Sequence, residues 1–119
     1  MKEPPIQNDI DLLWEPFRAK VETLLGRMTN RGFDPRPFET LRTGERQKWL
    51  YGYGRTHHIG CKPKTWTMQS RHIPGKAVDI ISKSRFWDWP EFFVALKQEA
   101  KKLGLNVLEV EQCHVQWAG

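Results

Sequence analysis

The chain has 119 residues, a formal net charge of +5 and two cysteines. That length suits a single domain over 1–119 with a core of its own, and two cysteines outside any C-x-x-C pair exclude a disulfide scaffold. No apolar run approaches the ~20 residues of a membrane span, and no apolar secretory core opens the chain, so cytoplasmic synthesis without a signal peptide is expected.

Residues 1–8 are expected to form a mobile arm. Asn8 or Asp9 can cap a helix from Ile10 to Met28, where Leu12, Leu13, Phe17, Val21, Leu24 and Leu25 recur near the helical period. Asn30-Arg31-Gly32 reads as its stop, and Asp34-Pro35-Arg36-Pro37 as a turn or extended linker. Phe38 to Thr43 alternates as a short strand, and Glu45 to Tyr51 suits a short helix. Gly52, Gly54, Gly60 and Pro63 then mark a long irregular loop, the kind of segment that is often functional.

Lys76 to Ser82 reads as a buried strand. Pro90 opens a helix that runs to about Leu103 and stops at Gly104, and Leu105–Val110 and Val115–Trp117 are further strand candidates. With no βαβ series, the expected class is α+β, a small antiparallel sheet flanked by helices. Lys97, Lys101 and Lys102 read as the solvated face of the last helix. Phe86, Trp87, Trp89, Phe92 and Phe93 read chiefly as helix-start and core packing.

The chemistry concentrates in Ser70-Arg71-His72-Ile73-Pro74-Gly75-Lys76-Ala77-Val78-Asp79 and in Glu111-Gln112-Cys113-His114. An ionised Asp79 between Ala77 and Ile81 on one strand face is costly unless a cation, a donor or a metal compensates it. His72 can fold back toward Asp79 across the Pro74-Gly75 turn. His114 supplies a second imidazole, with Glu111 three residues before it. Positions i and i+3 face opposite ways in a straight strand, so joint action of Glu111 and His114 requires a turn or bulge between them. Two imidazoles and a carboxylate, with a second carboxylate nearby, form the inventory of a hydrolytic zinc site that keeps one position for water. Taken singly, each of these residues also has an ordinary structural reading. Glu109 is a rival carboxylate, and Cys113, His57 and His58 are read as packing or loop residues.

In order and spacing, S-x-H-x-x-G-x-A-x-D followed by E-x-x-H resembles the LAS group of zinc metallopeptidases. That group includes D-alanyl-D-alanine carboxypeptidases and phage L-alanoyl-D-glutamate endopeptidases. The segment from Phe38 to Thr56 is similar to the stretch preceding the zinc motif in the endopeptidase branch, and the likeness covers about residues 38–117. The resemblance implies Zn2+ bound by His72, Asp79 and His114 in a cleft on the sheet, with Glu111 as general base and then acid. It also implies that Arg42 faces the substrate, with Gln47 a weaker candidate for the same pocket and Ser70 supporting the metal loop.

Asp79 and Glu111 stand only 32 residues apart, Leu105–Glu109 replaces a Trp-Gly-Gly-like segment, and Cys113 precedes the final His. These departures bear on the substrate subsite and leave the metal set intact. The implied activity is hydrolysis of peptidoglycan stem peptides by an endolysin-like L-alanoyl-D-glutamate endopeptidase. It would be monomeric and without nucleic-acid partners, and a holin-type route would bring it to the wall. A D-Ala-D-Ala carboxypeptidase or dipeptidase is the alternative within the family. From another class, the net charge and Arg85-Phe86-Trp87-Asp88-Trp89 allow a small nucleic-acid-binding module, since bases stack on aromatics beside cations.

Overall fold

A computed structural model of the chain describes residues 3–52, 75–108 and 111–118. The Gly-rich loop with His57, His58 and Cys61, together with Ser70, His72 and Glu109, lies outside the described residues. Among the described residues, three α-helices, α1 (Glu15–Asn30), α2 (Gly44–Gly52) and α3 (Pro90–Lys102), accompany four strands, β1 (Pro35–Glu39), β2 (Ala77–Ser82), β3 (Asn106–Val107) and β4 (His114–Gln116). The strands form one antiparallel sheet in the order β1-β2-β4-β3, the α+β arrangement expected.

The helix expected from Ile10 to Met28 is divided. A single 3-10 turn, Ile10–Leu12, is capped by the Asp9 side chain, and α1 starts only at Glu15. Pro16 explains the break, because it has no N–H to donate backward and so fits the first turn of a helix but not its interior. Phe17, Val21, Leu24 and Met28 then form a fully buried stripe at helical spacing. Gly32, at φ 91°, ends the helix as expected.

Pro35 to Pro37, in the stretch expected as a turn or extended linker, belong instead to β1, which begins at Pro35 and ends at Glu39 rather than running from Phe38 to Thr43. Among the described residues β1 is an edge strand, where prolines are tolerated because the ladder asks for donors on one side only. Asp34 anchors its start. Its carboxylate accepts from Ser82 Oγ at 2.5 Å and Ser84 N at 3.0 Å, and these hydrogen bonds hold it below the usual carboxylate range. The expected strand over Leu105–Val110 pairs at Asn106–Val107.

α1 and α3 cover one face of the sheet. Phe92, Leu96 and Ala100 meet Phe17, Val21 and Leu24 above Val78, Ile80 and Val115, all without exposed surface. At the edge of this layer Glu99 takes Arg31 at 2.9 Å, Lys102 at 3.2 Å and Arg27 at 3.5 Å. Of the aromatic run, Phe92 and Phe93 are core, and Trp89 stacks on Phe92. Phe86 and Trp87, by contrast, are about half exposed in the turn that follows β2, where Phe86 takes a positive φ of 55°.

Gly75 opens the described chain before β2. At φ 72° it uses a conformation that other residues reach only with strain, and a Cβ there would lie 3.0 Å from Leu12 O and from Trp14 N. Its carbonyl accepts from Trp14 N at 2.9 Å, so the glycine of the motif clamps the entry of β2 to the start of α1. The first residues are also engaged: Gln7 O accepts from Thr40 N at 2.7 Å, and Glu3 pairs with Arg46 at 2.7 Å.

Candidate metal centre

The second face of the sheet carries the polar cluster. Asp79 on β2 is the register partner of His114 on β4, and Ala77 is the partner of Gln116. Directly paired residues project to the same side, so Asp79, His114 and Gln116 share a face. Glu39 joins them through an irregularity in β1. Arg36 pairs with Ile81 and Pro37 with Ile80, but the register shifts before Glu39, which then faces Asp79. Without the extra residue, Glu39 would stand opposite Val78, on the core side. The bulge thus turns a carboxylate away from the apolar layer and toward the site.

His114 Nδ1 lies 3.3 Å from Asp79 Oδ1 and 3.4 Å from Glu111 Oε2. One donor atom from each of the three residues falls within 4.8 Å of the others. Glu111 reaches the cluster because Gln112 and Cys113 make a turn before β4 begins at His114, which meets the geometric requirement seen in the sequence. The side chains of His114 and Asp79 are 7% and 14% exposed, whereas that of Glu111 is 51% exposed. The cluster therefore has a closed inner side and one carboxylate open to solvent.

Burial opposes a charged ring on His114, but the Asp79 hydrogen bond and charge outweigh it, with Gln116 and Glu111 adding to the effect. The imidazolium of the metal-free chain thus persists above its ordinary range. Burial, reinforced by the charges of Asp79 and Glu111, pushes the Cys113 thiol far up, so it stays protonated. Cys113 is a free, half-buried cysteine.

The donor set fits zinc. Ligands about 2.1 Å from a tetrahedral zinc lie about 3.4 Å from one another, and the separation of Asp79 and His114 matches this. The third ligand expected from the sequence, His72, lies outside the described residues, as does Ser70.

Arg42 and Gln47 come together at the end of β1. Thr43 caps α2, its Oγ1 accepting from Arg46 N at 3.1 Å, and this first turn brings Arg46 and Gln47 back over β1. Arg42 Nη2 donates to Glu39 Oε1 and Nη1 to Gln47 Oε1, both at 2.7 Å. The other Glu39 oxygen accepts from Arg46 Nε, and Arg46 Nη1 reaches Glu3 and Pro4 O. Glu39 and Gln47 are buried, and Arg42 Nε is buried without an acceptor among the described residues. Gln47 is thus a neighbour of Arg42 inside the protein. Glu39, Arg46 and Gln116 were not singled out in the sequence. Gln116 carried a signal, since it stands two residues from His114 in a strand, but Glu39 depends on a bulge that no local pattern announces.

No family model matches the sequence, and no curated protein matches it. Solved structures do match the fold. The Serratia marcescens L-Ala D-Glu endopeptidase ChiX superposes with a TM-score of 0.62 at 20% identity, over 92% of this chain and 83% of that one. VanYB, solved in complex with D-alanine-D-alanine, gives 0.72 at 16% identity, over 98% and 79%. A Glu-to-Ala variant of the D,D-pentapeptidase VanY, in complex with Zn(II), gives 0.69 at 15% identity, over 98% and 83%. The fold implied by the sequence resemblance is therefore the fold the chain has.

Proposed function

We propose that this chain is a zinc peptidase of peptidoglycan stem peptides that cleaves the L-alanoyl-D-glutamate bond. The observation that carries the reading is the convergence of Asp79, Glu111 and His114 within 4.8 Å on a fold shared with peptidoglycan peptidases. Asp79 and His114, with His72, are the ligands. Bound there, zinc supplies a Lewis acid that lowers the pKa of water from 15.7 to about 7.

Glu111, the exposed carboxylate of the three, takes the proton from the attacking water and returns it to the leaving amine. Arg42 is held rigidly by Glu39 and Gln47. Two of its five N–H groups are committed to them and Nε is buried, so the remaining hydrogens of Nη1 and Nη2 are the ones offered to a substrate carboxylate or to the oxyanion that develops during attack.

The likeness to a protein solved with D-alanine-D-alanine supports a carboxypeptidase as the second reading. Mass spectrometry of digested peptidoglycan separates the two: new N-terminal D-glutamyl products are expected, and release of free D-alanine would select the second. Glu111→Ala should retain stoichiometric zinc and lose about 100- to 10,000-fold in turnover. A variant that keeps its turnover would remove Glu111 as the base.

A further inference from the structure

We propose that Gln116 is the positioning residue of the metal centre: its side-chain oxygen holds the His114 ring so that Nδ1 faces Asp79 and the metal. His114 Nε2 lies 2.8 Å from Gln116 Oε1, on the edge of the ring opposite the one that meets Asp79 and Glu111. The sheet fixes this division. Asp79 and His114 are register partners, and Gln116 follows on the same face of β4, opposite Ala77. The small alanine leaves the glutamine side chain free to turn back along its own strand toward the imidazole.

A neutral imidazole carries one proton, and a metal on Nδ1 requires that proton to be on Nε2. An oxygen acceptor at Nε2 stabilises that tautomer and also fixes the rotation of the ring. The opposite amide orientation would present an N–H to Nε2, force the proton onto Nδ1 and close the ligand position. The same carbonyl also keeps the imidazolium form hydrogen-bonded on both edges in the metal-free chain. Partners of this kind, outside the ligand set, typically change metal affinity by about 10- to 100-fold.

The inference rests on the zinc reading of the site, and the test separates the two. Gln116→Met keeps the length of the side chain and removes the amide acceptor, whereas Gln116→Glu keeps an acceptor and can only accept. Zinc affinity of the full chain is measured at pH 7.5 by competition with a chromophoric chelator. In 1H–15N spectra of the zinc-loaded protein, the His114 Nε2–H signal is followed for exchange with water.

Gln116→Met is expected to weaken zinc about 10- to 100-fold and to expose the Nε2–H to fast exchange. Gln116→Glu is expected to match or exceed wild-type affinity and keep the signal protected. If wild type binds zinc and Gln116→Met binds it equally well, the positioning role is overturned while the metal site stands. A wild-type protein that binds no zinc overturns the metal reading and the inference with it.

Discussion

Glu39→Ala should destabilise the protein by about 3 kcal/mol, because it removes a carboxylate shared by two largely buried guanidinium groups. The side chains of Glu39, Arg46 and Arg42 are only 2%, 6% and 11% exposed. Breaking a buried pair from one side typically costs about 3–5 kcal/mol, since the surviving charge is left uncompensated. Here both survivors keep a second partner, Arg42 its Gln47 and Arg46 its Glu3 and Pro4 O, which places the effect at the lower end. For a chain of this size that corresponds to a fall of about 12 °C in Tm.

Urea denaturation should show the loss as a lower midpoint with an unchanged slope. The triple variant E39L/R42M/R46M removes all three charges together, and because charge-free replacements of buried ion clusters are often neutral or better, it should recover most of the stability. It should not recover turnover if Arg42 meets the substrate. A loss below about 1 kcal/mol in Glu39→Ala, or a triple variant no more stable than the single one, would refute the argument that buried charge is what Glu39 compensates.

Two further outcomes follow from the geometry. Gly75→Ala should cost about 2 kcal/mol or more, combining the left-handed conformation with a Cβ pressed against backbone atoms of Leu12 and Trp14, and thermal melts would reveal it. His114 sets opposite pH demands on the metal-free and zinc-bound forms. Its raised value in the folded metal-free chain contributes stability that is fully present below about pH 6.5 and lost as the pH rises through the folded value. Zinc needs the unprotonated ring, so zinc affinity should fall as the solution is acidified through the same range. Affinity that stays flat between about pH 5 and pH 8 would contradict His114 as a ligand.

Much of the site was legible because its residues are close in sequence or tied to short-range rules. The alternation of β2 put Asp79 on a defined face, and the three-residue step from Glu111 to His114 demanded the turn that Gln112 and Cys113 provide. The short helix expected over Glu45–Tyr51 is α2, and α3 was readable from punctuation at Pro90 and Gly104. The helical period alone extends α1 too far toward the N-terminus, because the missing donor of Pro16 confines that residue to the first turn. The linker reading of Asp34 to Pro37 failed for a related reason. Proline argues against a strand only where both sides of the ladder need donors, and the edge position of β1 is a property of the whole sheet.

By itself the sequence determined the candidate ligand types, their order along the chain and the apolar stripes that fold it, since these depend on residue chemistry and local period. The tertiary structure alone decided which distant groups meet. Pairing of β1 with β2 through a bulge set Glu39 opposite Asp79, and pairing of β2 with β4 brought His114 to the same face. The docking of α2 brought Gln47 and Arg46 to the guanidinium and carboxylate of Arg42 and Glu39. Register is a cooperative outcome of the packed sheet, where a one-residue slip of a strand would send its side chain among Glu39, Asp79 and His114 to the other face.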